Sequence, residues 1–458
     1  MMTARLAAFV TDTREEDIPD TVIAAARDAL IDTLGCGLAG AHDPASRIAE
    51  AWLAANGGTR AATIWGSALK TPAAGAAFAN AIRAHVLDYD DSSLNLRGHP
   101  SAVMMSAALA AGEATRASGK AVLAAYACGL EIAAKLSPAL GPGHYFKGWH
   151  TTATVGIFAA TAVAGRLYGL DAAALQHAYG LAASQASGLT ANFGSMTKAF
   201  HVGHAARCGL DSAWLAKHGY TASIDIFEGK NNFIAVYAGE RAKPLESTIA
   251  TLGAPWELAQ PGLYRKRYPC CYAVHRPMAG LLELLERDRI ATSDIEAIDV
   301  GYLPGVQHPL LHHDPQTGLE AKFSTEYCMA AMALDRKVDM ASFEDAAVQR
   351  PAVRALMRKV TSHVMDDAGV YNGLTGYNVL RVRARGTMHE LRIDRTPGSP
   401  DWPLVGDELA AKFLSCARVC LSEKAAHRAL DLATRAPALS DIGELLEAVV
   451  SRGAVPQP

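Results

Sequence analysis

The chain has 458 residues, half of them hydrophobic and 19% charged, with a formal net charge of −3. A length of this order favours two or three domains with large cores, and the charge balance excludes the basic field of a nucleic-acid binder and the acidic block of a solvating tail. Eight scattered cysteines without a CxxC pair read as reduced thiols and so as a cytoplasmic protein.

The N-terminal stretch MMTARLAAFVTDTREEDIPD turns acidic at once and lacks an apolar core with a cleavage site, so no signal peptide is expected. Helical periodicity then runs to about residue 255. DTVIAAARDALIDTLGCGLAG repeats apolar residues at Ile23, Ala26, Leu30 and Leu34 and stops at Gly40, with Asp20 and Thr21 as cap candidates. FANAIRAHVL, SAVMMSAALAAGEATRA, AVLAAYACGLEIAAKL, TTATVGIFAATAVAGRLYG and AALQHAYGLAASQASG follow. They are apolar on several faces and rich in small residues, as helices packed on several neighbours must be. The apolar runs read as too short and too rich in Ala and Gly to span a bilayer.

After PGLYRKRYP the texture changes. IEAIDVGYL alternates as a strand, RPAVRALMRKV reads as a helix with Pro351 in its first turn, and NVLRVRARGTMHELRIDR reads as two strands about a tight turn at Gly386-Thr387. TPGSPDWP closes this unit, and the remaining tail is helical again. The expected architecture is mainly α: an all-helical domain from both chain ends, residues 1–265 and 396–458, with a smaller α+β domain inserted at 266–395. A cleft between such units is a common place for a small-molecule site.

Four polar turns interrupt the apolar pattern. LDYDDSSLNLRGHPS (87–101) carries Asp88, Asp91, Ser92, Arg97 and His99. GHYFKGWHTT (143–152) carries His144, Tyr145, Lys147 and His150. NFGSMTKAFHVGHAAR (192–207) carries Lys198, and YRKRYPCCYAVH (264–275) carries Lys266 at the domain junction. Taken singly, each has a bland reading: a capping aspartate, a hydrogen-bonded structural histidine, a solvent-facing lysine. Four Gly/Pro-punctuated polar turns of one design in an apolar chain point instead to a shared site. Sharper motifs carry little weight. Ser195-x-x-Lys198 fits S-x-x-K with no following K-T-G, and His201/His204 has no H-E-x-x-H context. His312-His313-Asp314 reads as a solvated loop, and Cys270-Cys271 as buried thiols. No G-x-G-x-x-G or Walker loop is present. No metal and no organic cofactor are therefore expected, and the partner is a small molecule rather than nucleic acid or membrane.

These blocks, with KRYPCCYAVHRPMAG and EAKFSTEY, follow in order the pattern of the MmgE/PrpD family, over nearly the whole chain. Within it, LRGHPS, GHYFKGWH, PGLYRKRYP, VGYLPGVQHPLLHHDP and TGY resemble the iminodisuccinate epimerase branch. The span from Ser92 to His99, one residue longer than in the decarboxylase branch and gaining Arg97, favours the same reading. The resemblance implies the helical domain from both termini, the inserted α+β domain, a site between them and a homodimer. It assigns Asp88, Ser92, His99, His150, Lys198, Lys266 and Tyr327 to the site. The expected activity is a cofactor-independent epimerisation of an iminodisuccinate-like polycarboxylate, by proton removal and return at Cα. The alternative is a lyase of the 2-methylcitrate dehydratase or cis-aconitate decarboxylase kind. Lys266, Lys198, Tyr145, His150, His99 and Asp88 are the catalytic candidates, with Lys266 or Lys198 on one face of the substrate and Tyr145 or His150 on the other. Arg97, Ser92 and Tyr327 are the substrate-binding ones. Arg97 suits a bidentate carboxylate clamp because its planar fork matches the anion.

Overall fold

The computed structural model describes residues 1–369 and 371–451. Among the described residues two large hydrophobic cores form, beside a small cluster around Ile64, Phe78 and Ile82. One runs from Leu6 to Leu263 and resumes from Leu409 to Val449, and the other runs from Tyr268 to Ile393. The chain thus leaves the helical core, builds the second unit and returns, as the mainly α reading with an α+β insertion requires. The helix Gly406–Ala417, first of the returning segment, packs on Asp20–Ala39, which unites the two chain ends.

The centre of the helical core is Ala73–His85, Pro100–Thr115, Gly119–Leu140, Gly156–Leu167 and Thr197–Lys217. Gly119–Leu140 corrects the expectation about apolar runs, because its 22 residues are long and apolar enough to cross a membrane by length and composition; in this fold it is a core helix buried among the others. The helix Thr197–Lys217 sits against both Ala73–His85 and Gly156–Leu167. Two glycines permit this: a Cβ on Gly203 would lie 2.7 Å from the Phe78 carbonyl oxygen, and one on Gly209 would lie 2.5 Å from Ala160 Cβ. The Asp20–Ala39 helix begins behind Pro19, so Asp20 lies in its first turn rather than capping it.

The inserted unit holds a four-stranded sheet in the order Val360–Val364, Ile295–Tyr302, Asn378–Ala384, Thr387–Ile393. The first pair is parallel and the others antiparallel. A parallel pair needs a long crossover, and residues 303–359 supply it with the helices Thr325–Asp335 and Pro351–Met357. Leu380, Val382 and Ala384 face the core, as their alternation predicts. The hairpin turn is Arg385-Gly386, at φ 51° and 73°, and Thr387 already pairs with Ala384, so the turn lies one residue earlier than expected.

The two crossings between the units run side by side, Arg265 N donating to the Gly398 carbonyl at 2.9 Å. The first crossing also pairs with the loop of 87–101: Ser92 and Ser93 form a short antiparallel ladder with Tyr264 and Leu263. That ladder delivers two of the polar turns to one place.

Candidate active site

Asp88 is the hub. Its backbone takes the left-handed conformation, φ 52°, uncommon for a residue other than glycine and often a mark of a functional turn. One carboxylate oxygen accepts from the Lys198 ammonium, and the other accepts from Lys266 Nζ at 2.7 Å. Burial alone would push the Asp88 carboxyl up, but the two lysines outweigh it and hold it well below the usual carboxylate range. Lys266 is fully buried; burial would lower its ammonium, yet Asp88 and then Asp90 raise it. Lys198, second residue of its helix, lies between the rings of Phe193 and Phe323, 5.4 and 5.3 Å from their centroids.

His99 and His150 occupy N-cap positions, before Pro100–Thr115 and before Thr151–Thr154, and neither side chain caps its helix. Both rings are left free for the cleft. His99 Nδ1 lies 3.0 Å from the Asp91 carbonyl oxygen, which can only accept, so Nδ1 carries the proton and Nε2 is bare in the neutral ring. Nε2 is 3.9 Å from Asp88 Oδ1, and Nδ1 is 3.4 Å from Asp90 Oδ2. Burial lowers His99 below the ordinary imidazole value despite Asp90. His150 is pushed down further, by burial and then by the Lys198 charge, and its Nδ1 lies 3.2 Å from that of His201.

The remaining turns complete the cleft. Ser92 and Arg97 line it with Gly98, Thr152 and Tyr145, and from the inserted unit come Cys271, Phe323 and the rim residues Tyr371 to Leu374. Arg97 sits at φ 56° in a turn closed by its own N–H to the Ser93 carbonyl. Burial raises the Tyr145 phenol well above its ordinary value, so it stays protonated. Eight of the nine residues expected at the site therefore converge. Tyr327 does not. It is buried in the core of the inserted unit, its ring against Phe343 and its hydroxyl donating to the Ser342 carbonyl. The same block instead sends Phe323 to the cleft wall and turns Lys322, five positions before Tyr327, to the Asp88 turn, where its ammonium donates to the Leu87 carbonyl at 2.6 Å.

Sequence reasoning also missed His85, whose Nδ1 lies 2.9 Å from Asp90, and Thr152, whose hydroxyl accepts from the His99 backbone at 3.0 Å. His85 stands three residues before Asp88, close enough in the chain to have been considered with it. Other features have structural duties. His144 bridges the Tyr237 carbonyl and Thr154 Oγ1, and Lys147 is exposed. The Ser195 hydroxyl donates to the Asn192 carbonyl while Lys198 turns to Asp88, so no serine–lysine pair forms.

His85, Asp88, Asp90 and His99 bring possible ligand atoms within 4.8 Å of one another. Asp88 already carries two ammonium groups, whose charge opposes a cation at that carboxylate. The set fits an anion far better than a metal. Two lysines and one arginine line a cleft whose one carboxylate is already neutralised, which suits the cleft to an anion.

The comparisons agree on the class. Residues 4–246 match the MmgE/PrpD N-terminal domain and residues 268–436 the MmgE/PrpD C-terminal domain, so the chain belongs to the MmgE/PrpD family. It is similar to the cis-aconitate decarboxylase of Homo sapiens, 29% identical over 421 residues, covering 88% of this chain and 85% of that protein. It is also similar to the cis-aconitate decarboxylase of Aspergillus terreus (strain NIH 2624 / FGSC A1156), 27% identical over 481 residues, covering 97% and 95%.

These relatives overturn the expected epimerase, an isomerase, in favour of a lyase. The geometry supplies the physical reason. A lysine base needs a lowered pKa, whereas Lys266 is raised by the carboxylate it holds, and both lysines are tied to that one carboxylate.

Proposed function

We propose that this protein is a cofactor-independent decarboxylase of an unsaturated tricarboxylate, cis-aconitate or a close analogue. The observation that carries the reading is the Asp88 hub: two lysine ammonium groups share one buried carboxylate, with the neutral His99 ring beside it, in a cleft that also holds Arg97. The names of the similar proteins supply the substrate class.

Loss of CO2 leaves the electron pair of the broken C–C bond on carbon. In an unsaturated tricarboxylate this pair delocalises over the allylic system toward a neighbouring carboxylate. Lys198, Lys266 and Arg97 stabilise that spread charge, a contribution worth more in a water-poor cleft than in solvent. One proton then closes the balance: trianion and H⁺ give dianion and CO2. His99 supplies it. Its ring is neutral in the free protein because of burial. A bound trianion reverses that preference, so the ring takes a proton at Nε2 on binding and passes it to carbon, while the Asp91 carbonyl and Asp90 hold Nδ1. Tyr145, kept as a phenol, donates a hydrogen bond to a substrate carboxylate.

Incubation with cis-aconitate in D2O tests this. The expected result is CO2 release matched by a dicarboxylate carrying one deuterium at the reprotonated carbon, with rapid proton uptake on mixing that is lost in His99→Gln. A product that retains all three carboxylates overturns the reading.

A further inference from the structure

Three consecutive carbonyls of the Asp88 turn each accept from a different buried lysine. Leu87 O accepts from Lys322 at 2.6 Å, Asp88 O from Lys266 at 2.8 Å and Tyr89 O from Lys412 at 2.8 Å. The donors come from the inserted unit, the first crossing and the helix Gly406–Ala417. None is more than 7% exposed. Burying three ammonium groups against one tripeptide is costly unless each is well bonded, so this convergence asks for a reason.

The second bonds supply it. Lys412 also donates to the Lys266 carbonyl at 2.9 Å, and Lys322 also donates to the Pro269 carbonyl at 2.8 Å. Each ammonium therefore bridges the segment 87–89 to the segment 266–269. Lys412 is anchored from behind by Asp32 at 2.7 Å and lies 3.9 Å from the Tyr89 ring centroid. Lys322 makes no ion pair among the described residues; it has the Phe343 face at 4.7 Å, and burial brings its ammonium down to about 8. Between the two staples the Asp88 backbone is held left-handed, and that conformation aims the carboxylate at Lys198 and Lys266.

We infer that Lys322 and Lys412 are positioning residues, two ammonium staples that lock the Asp88 turn to the Lys266 segment and so set the aim of the Asp88 carboxylate. They touch no substrate and act through Asp88. A turn free to relax toward ordinary φ would swing the carboxylate away from its lysines, and misplacement on the scale of 1 Å costs on the order of 10²-fold in rate.

The test uses the full chain with Lys322→Met, Lys412→Met and a control, Arg166→Met, which removes a cation-to-carbonyl bond to Val10 outside the cleft. Where a Met variant fails to fold, the Gln variant at that position replaces it, since its amide can still donate to one carbonyl. Two readouts are taken. Heteronuclear NMR of lysine labelled with 13C at Cε, followed across pH, gives the titration midpoint of Lys266 without any substrate. The expected result is a downward shift of about one pH unit in both staple variants, because the opposing charge of Asp88 has moved away, and no shift in the control. Kinetics with cis-aconitate, which rest on the reading proposed above, should show a fall in kcat on the order of 10²-fold with KM little changed. An unmoved Lys266 midpoint in folded staple variants overturns the inference, whatever kcat does. A shifted midpoint in a protein with no activity on cis-aconitate supports the staples and rejects the substrate.

Discussion

At the scale of single residues, the site is an exercise in keeping charges buried at tolerable cost. Asp88 and Lys266 are buried, and neither would remain ionised without the other and Lys198. Asp88→Asn keeps the shape but leaves two ammonium groups without their counter-charge. It should cost about 3–5 kcal/mol of stability, read from denaturant unfolding, and remove activity. Tyr327 gives the contrasting case. Its hydroxyl serves the Ser342 carbonyl inside the inserted unit. Tyr327→Phe should therefore cost about 1 kcal/mol of stability, with kcat and KM unchanged. A raised KM would return Tyr327 to the substrate.

At the scale of elements, the cleft depends on close approaches that only small residues allow. The loop of 87–101 meets the segment of 150–154 where Gly98 faces Thr152; a Cβ on Gly98 would lie 2.5 Å from Thr152 Oγ1 and 3.0 Å from its backbone nitrogen. The same Thr152 hydroxyl accepts from the His99 backbone. Gly98→Ala should push the two segments apart and break that bond. A loss of 1–3 kcal/mol is the usual range, about that of overpacking elsewhere. Activity should fall more than stability, because Arg97 and His99 move together; equal activity per folded molecule would show that the loop absorbs the methyl group. The left-handed turns at Asp88 and Arg97 belong to the same logic: both redirect the chain within one short loop, so its side chains reach one cleft.

At the scale of the molecule, buried titratable groups set the pH response. Burial brings His85 and His201 down to about 4 and His275 to about 3, against about 6.5 for an unfolded chain. Between those values the unfolded state binds protons that the folded state refuses, so stability present above about 6.5 is lost as pH falls toward 4. Buried carboxyls oppose this, Asp91 and Glu257 most. Burial raises Asp91 and Glu257 to about 7, Asp91 further by the Asp32 charge and Glu257 by Glu131. Their folded forms take up protons before the unfolded chain does, so they favour the fold increasingly as pH falls from 7 toward 4. Glu257→Gln removes one opposing contribution. The variant should unfold at a higher denaturant concentration than wild type at pH 8, with the difference vanishing below pH 5. A constant difference across that range would place the Glu257 carboxyl near its ordinary value.

Much of this was legible along the chain. Helical and strand periodicity predicted the mainly α fold with its inserted sheet, because the burial of a helix stripe or an alternating strand is written in local spacing. The blocks around Asp88, His99, His150, Lys198 and Lys266 marked the cleft, since charged residues between apolar helices have few other uses. Three-dimensional contact decided the rest. Lys322 and Tyr327 lie in one block, and only packing shows that the first turns to Asp88 while the second turns inward. Lys412 lies in a tail helix with no polar turn near it, yet it reaches Tyr89 and Lys266 over 323 and 146 residues of chain. The protonation of Lys266 was beyond reach for the same reason. A lysine's pKa depends on which charge faces it through a few ångströms of protein, and sequence spacing carries no such distance.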